Sequence, residues 1–209
     1  MKTIKLKSTM LALLLVLPVQ HASADWIVDV YENLGPFSHI DAAISAMQSA
    51  GPATSSGAFG VINFSQGGGP FGNFSFDSLF PGNPGDLFGV HVTGEISLAQ
   101  GLNYFGINHD DGALLRFGGM GTGGIDVIDF PQPTPPINTF GSVSSLFAVN
   151  SVSVDLWLYE NFGVASLELF HSDAQSTVGG LVRTIPEPGT LALLGIGLFG
   201  MGLARRKKV

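Results

Sequence analysis

The 209-residue chain has no cysteine. A disulfide framework is therefore excluded, and stability has to come from packing or from bound ions. Positive charge is almost as scarce in the middle of the chain. Between Asp25 and Thr184 only Arg116 and Arg183 are basic, against fifteen acidic residues, a net charge of −13 with histidine neutral. A nucleic-acid-binding surface needs clustered Lys and Arg to displace counterions, so that class is excluded. Anionic lipid and acidic polysaccharide are repelled unless divalent cations bridge them, whereas neutral sugars and metal ions fit the charge. Zinc spacing is missing too, since His39, His91, His109 and His171 form neither H-E-x-x-H nor an i, i+4 pair. What is abundant is glycine, with 29 residues, and phenylalanine, with 16. Glycine at that level suggests many tight turns, and the phenylalanines supply the apolar surface that distinguishes a packed domain from a low-complexity chain.

The two ends read as addresses. Lys2, Lys5 and Lys7 precede an apolar stretch from Met10 to Val19, and Ala22-Ser23-Ala24 gives a small-residue cleavage pattern. Residues 1–24 are thus predicted to be a secretory signal peptide, with Ala22 and Ala24 marking the cut and Asp25 starting the mature chain. At the other end stand Ile185-Pro186-Glu187-Pro188-Gly189, an apolar run from Thr190 to Ala204, and then Arg205-Arg206-Lys207-Lys208. Two prolines around Glu187 remove two backbone donors and fix φ, which predicts an extended, accessible motif. The run of about 15 residues gives ~22 Å of helix against a ~30 Å hydrocarbon core, a marginal span. The basic cluster holds its end on the cytoplasmic side and leaves Pro186-Glu187-Pro188 outside the membrane.

This order of motif, span and basic stop resembles the PEP-CTERM sorting signal of Gram-negative bacteria that make exopolysaccharide. The resemblance implies an exosortase that cuts near the motif and passes the protein from the inner membrane to the cell surface or beyond. It makes 185–209 a sorting signal, with its motif at 186–188, its transmembrane helix at 190–204 and its basic tail at 205–208. Residues 25–184 remain as one domain of ordinary size.

Within that domain Ile40, Ala43, Ile44 and Met47 recur at i, i+3, i+4, i+7. They predict one short helix with Ser38 as N-cap and Asp41 in its first turn, ended by Gly51-Pro52. From Phe59 to Pro84 the Gly, Asn, Ser and Phe text suggests short strands or loops anchored by aromatic rings. Phe88, Val90, Val92, Ile96 and Leu98 alternate with polar or small residues and predict a strand. Tyr104–Ile107 and Ala113–Phe117 read as a hairpin around Asn108-His109-Asp110-Asp111-Gly112. Val152 to Leu158 and Val164 to Phe170 read as a second hairpin. Pro131-Gln132-Pro133-Thr134-Pro135-Pro136 is a surface loop, because proline cannot feed a ladder. The expected fold class is mainly β, an antiparallel β-sandwich with one short helix.

The stretch from Gly101 to Leu115, centred on Asn108-His109-Asp110-Asp111-Gly112, resembles the central strand-turn-strand of the protective-antigen and flocculin-type adhesin domain. Val154 to Ser172 looks like that family's closing hairpin, and Trp26 to Asn33 like its aromatic opening. The resemblance implies that Asp110 and Asp111 hold a calcium ion whose shell is completed by sugar hydroxyls. Calcium takes six to eight hard oxygens near 2.4 Å, which suits adjacent carboxylates. His109 stands where family members more often carry a small polar residue, and Asn161 is the expected further ligand. As plain turn chemistry, Asp110-Asp111-Gly112 needs no ion at all.

Other signals carry less. Gly195-Ile196-Gly197-Leu198-Phe199-Gly200 matches the dinucleotide fingerprint by letter, but lies in the apolar anchor without a βαβ context. His171-Ser172-Asp173 has the letters of a hydrolase triad, yet consecutive side chains cannot form that relay. Asp126 and Asp129 are a candidate carboxylate pair for glycoside hydrolysis. Asn63-Phe64-Ser65 and Asn73-Phe74-Ser75 match the glycosylation acceptor pattern. The reading that results is an exported, surface-sorted, non-enzymatic sandwich of the envelope or biofilm matrix, a calcium-dependent carbohydrate-binding adhesin. The alternative is a structural matrix protein with no small ligand.

Overall fold

The computed structural model describes residues 25–66, 72–74, 77–118, 124–146, 148–173 and 176–184. The signal peptide and sorting tail expected from the sequence lie outside the described residues. Among the described residues no helix is long and apolar enough to cross a membrane.

Among the described residues ten strands and one helix follow in the order β1 (Trp26–Tyr31), α1 (Ile40–Ser49), β2 (Ser55–Phe59), β3 (Asn63–Ser65), β4 (Phe88–Leu98), β5 (Gly101–Asp110), β6 (Ala113–Phe117), β7 (Ile125–Phe130), β8 (Ile137–Ser145), β9 (Val149–Glu160) and β10 (Ser166–Ser172). They form a six-stranded sheet, β2-β1-β4-β9-β6-β7, and a four-stranded sheet, β3-β10-β5-β8. Every ladder between these strands is antiparallel. The period-two residues face inward as expected. Val28 and Val30, Val90 and Val92, Leu115 and Phe117, Leu156 and Leu158 from the larger sheet share one core with Phe105, Ile107, Leu167 and Leu169 from the smaller. Phe105 meets Phe117 edge-on across the two sheets, with centroids 5.0 Å apart, a geometry that adds about 0.5–1.5 kcal/mol beyond the burial itself.

Both expected hairpins are corrected. β5 pairs with β10 and β8 in the smaller sheet, while β6 pairs with β7 and β9 in the larger. Likewise β9 and β10 lie in different sheets. The turns at 111–112 and 161–165 are therefore arches that carry the chain from one sheet to the other. Alternation of apolar residues tells which face of a strand is buried and says nothing of which strand it pairs with. A hairpin and an arch look the same at that level.

The phenylalanine-rich segment behaves as expected. Phe59, Phe64, Phe80 and Phe88 contact one another in series at centroid distances of 4.7, 5.3 and 5.4 Å, which pins this weakly patterned stretch to the core. Segment 72–74 is held by the buried Glu168 of β10, whose carboxylate accepts from the backbone N–H groups of Asn73 and Phe74.

The helix needs a smaller correction. His39, not Ser38, is the N-cap, with extended backbone and a ring Nδ1 that accepts from Asp41 N at 3.4 Å. The boundary thus moves by one residue, because an imidazole nitrogen does here what a hydroxyl usually does. Ile40, Ala43, Ile44 and Met47 are buried as predicted, and they pack on Leu114, Trp157 and Tyr159 of the larger sheet's outer face.

Candidate functional site

The two arches meet at one end of the molecule. Asp111 N donates to Tyr159 O and Tyr159 N to Gly112 O, both at 3.1 Å, so the end of β9 is laced to the turn after β5. Gly112 is required by this approach. A Cβ there would lie 2.5 Å from the Tyr159 ring and 3.0 Å from Pro131 O. Three carboxylates converge as a result: Asp110, Asp111 and Glu160, each offering a ligand oxygen within 4.8 Å of the others, and all three residues buried. That span is about twice the 2.4 Å calcium–oxygen distance, so a single ion can touch all three.

The three differ in how they are satisfied. Asp111 is fixed by two backbone donors, Thr134 N to Oδ1 at 3.1 Å and Asn161 N to Oδ2 at 2.9 Å. The proline loop and the β9–β10 arch thereby set its orientation. Glu160 is different: it is wholly inaccessible, and neither Oε1 nor Oε2 has a hydrogen-bond partner. Burial, reinforced by Asp110, Asp111 and Asp86, pushes its carboxyl up to about 8. Burial and the charge of Asp111 likewise push Asp110 up to about 7. Such groups are costly unless protonated or neutralised by a cation. The donor set is all hard oxygen, which suits calcium.

His109 braces the turn from the core side. Its Nδ1 lies 2.6 Å from Asp111 O and its Nε2 2.8 Å from Thr139 Oγ1. A carbonyl only accepts, so Nδ1 carries the proton. Burial pushes His109 below the usual histidine range, against the opposing pull of Asp111. The ring is thus neutral, and Nε2 accepts from the threonine hydroxyl.

Asn161, the further ligand expected from the sequence, is engaged with its neighbours. Its side chain is taken up by Phe37, accepting from Phe37 N at 2.7 Å and donating to Phe37 O at 3.0 Å, and only its backbone N–H reaches Asp111. The third carboxylate of the cluster is that of Glu160, one residue earlier. Glu160 is absent from the expected ligands because it falls between Leu158 and Val164, in the connection expected to close the second hairpin. The signal was present in an acid ending an otherwise apolar alternation.

The remaining candidates fall elsewhere. Asp126 and Asp129 share the outer face of the larger sheet because a bulge at Leu115/Arg116 pairs them with Arg116 and Leu114. Arg116 forks onto Asp126 through Nε and Nη2, which occupies that carboxylate as an ion pair. Asn63 is buried in β3, which closes its acceptor pattern to modification. Pro186, Glu187, Pro188, Ala22, Ala24, Arg205, Arg206, Lys207 and Lys208 lie outside the described residues.

Comparison with known proteins bears on both parts of the chain. The family described as the PEP-CTERM protein-sorting motif matches residues 184–208. No curated protein matches the chain. Among solved structures, the PA14 domain of the MpAFP antifreeze protein superposes with a TM-score of 0.61 at 15% identity, over 79% of this chain and 93% of that one. The PA14 sugar-binding domain from an RTX adhesin gives 0.52 at 18% identity, over 78% and 100%. The epithelial adhesin 9 A domain from Candida glabrata, in complex with Galb1-4GlcNAc, gives 0.53 at 13% identity, over 82% and 94%. Two sheets joined by arches at an acidic turn, followed by a matched C-terminal signal, thus make this chain a bearer of the PEP-CTERM protein-sorting motif on a domain of PA14-like fold.

Proposed function

We propose that the chain is an exported, non-enzymatic surface adhesin that binds a neutral carbohydrate through calcium held by Asp110, Asp111 and Glu160. The observation that carries this reading is the Glu160 carboxylate, fully buried, without a hydrogen-bond partner and facing two more carboxylates. A divalent cation turns that liability into coordination. When bound, calcium supplies open positions that vicinal sugar hydroxyls can fill. The chain's own residues do the rest: Thr134 N and Asn161 N orient Asp111, His109 fixes the Asp111 carbonyl, and the strongly acidic surface turns away acidic glycans. Two relatives support the ligand class, since one is described as sugar-binding and the other was seen with a galactose-containing disaccharide.

The sorting motif supports export and exosortase processing, with the tail as a transient inner-membrane anchor and the extracellular polysaccharide or cell surface as destination. Binding of the soluble domain to an array of neutral glycans, with calcium and with chelator, tests the reading beside an Asp110→Asn/Asp111→Asn variant. Calcium-dependent binding lost in the variant is expected. Absence of binding in every condition would favour a structural matrix protein instead. Alanines at Pro186, Glu187 and Pro188 are expected to leave full-length protein in the inner membrane, whereas the unaltered chain yields a shorter form outside, as read by fractionation and blotting.

A further inference from the structure

Residues 176–184, which lie between β10 and the sorting motif, are part of the fold. Gly179 N donates to His171 O and His171 N to Gly180 O, both at 2.8 Å, and Val182 N donates to Leu169 O at 3.1 Å. Leu181 and Arg183 form antiparallel bridges to Phe170 and Val61. Val182 is wholly buried in the shared core, and Thr184 is buried as well. Trp26, also wholly buried, donates its indole N–H to Val182 O at 3.3 Å. Gly94 lies beneath this junction: a Cβ there would overlap the Trp26 ring and stand 3.1 Å from Thr184 Cγ2.

Two sequence facts give this junction meaning. Trp26 is the second residue of the chain expected after signal-peptide removal, and only Ile185 separates Thr184 from Pro186. The two processed ends of the domain are therefore joined to each other through the core. They meet at Gly94, six residues along β4 from Phe88, which pairs with Glu160, or roughly 20 Å from the acidic site at about 3.3 Å per residue. The ligand end and the tethered end are separate regions of the domain.

A protease needs several extended, accessible residues around the bond it cuts, and backbone held in a ladder with its side chains in the core is released only by local unfolding. We propose that Gly180–Thr184 and Trp26 form a clasp that withholds the end of the domain from the enzyme reading Pro186-Glu187-Pro188. Cleavage is confined to bonds after Thr184, and the released domain retains the clasp. In the step itself one peptide C–N bond breaks, the carbonyl carbon gains the oxygen of water or the nitrogen of an amine acceptor, and the departing nitrogen takes the proton. The inference rests on the sorting reading of residues 184–208 and is independent of the cation site.

The test uses the full-length chain in detergent, digested with a broad-specificity protease and followed by intact mass. A protected core ending at Thr184 or later is expected, and one that ends before Gly180 overturns the clasp. Val182→Thr keeps the side-chain shape but puts a hydroxyl in the core, and Trp26→Phe removes the indole donor together with part of the buried ring. Both are expected to move the protected end upstream, and ends unchanged in both variants overturn the proposal. In cells that carry the processing enzyme, a released form ending at Arg183 or earlier also overturns it. Release that persists with alanines at 186–188 sinks the sorting reading instead, while the digestion result still decides the clasp.

Discussion

Replacing Glu160 by glutamine separates a cation site from a mere acidic turn, because the two readings predict opposite signs. Glu160 is inaccessible beside Asp110 and Asp111, and neither carboxylate oxygen has a hydrogen-bond partner. Its carboxyl is raised from 4.5 to about 8. A raised pKa means that the folded state holds the proton more tightly than the unfolded chain. The stability this confers is complete below about pH 4.5 and is lost as pH rises to about 8. Above that pH the buried charge is uncompensated. Glutamine keeps the shape and leaves a polar group there but removes the charge, and relief of that buried, unpaired charge is worth about 1–3 kcal/mol. For a domain of this size that is roughly 2–12 °C in Tm. With calcium at 100 times its Kd the unaltered domain should gain ~2.7 kcal/mol, or about 5–11 °C. The variant has lost a charged ligand and should gain much less. Calorimetry of residues 25–184 at pH 9, with calcium and with chelator, should therefore show the two melting curves exchanging order. If the variant melts lower in chelator, or gains as much from calcium as the unaltered domain, Glu160 is no ligand and the reasoning fails.

Two further outcomes test the supports of the site. Gly112→Ala forces a Cβ against the Tyr159 ring and Pro131 O, and such overpacking costs about 1–3 kcal/mol, which urea unfolding would show as a lower midpoint with an unchanged slope. Arg116→Ala removes a partly exposed ion pair to Asp126. It should cost no more than about 1 kcal/mol, less at high salt, and leave glycan binding intact; loss of binding would move the site to the outer face of the larger sheet.

Much of the molecule was legible from the chain. Local chemistry fixed the amphipathic helix, through Ile40, Ala43, Ile44 and Met47, and the core face of β4 and β9, through the period-two recurrence of apolar residues. The adjacency of Asp110 and Asp111 needed no structure, nor did the order of motif, span and basic cluster, because these are one-dimensional patterns. Other strands left weaker marks. β2 is Ser-Ser-Gly-Ala-Phe and is only half-buried, while β7 and β8 border a proline loop and carry mixed faces. Their pairing comes from neighbours rather than from propensity.

Partnership between distant segments belonged to the tertiary structure alone. Period two gives the buried face of β5, β6, β9 and β10 but not the sheet each one joins, so what read as two hairpins became two arches. Only when both arches close over the same end do Glu160 and Asp111, 49 positions apart in sequence, come within reach of one ion, and only then does Phe37 claim the side chain of Asn161. The same holds for Trp26 and Val182, which the sequence places near opposite ends of the domain and the packed core places in contact. Short-range patterns decide what each segment is, whereas burial shared across the whole chain decides what it meets.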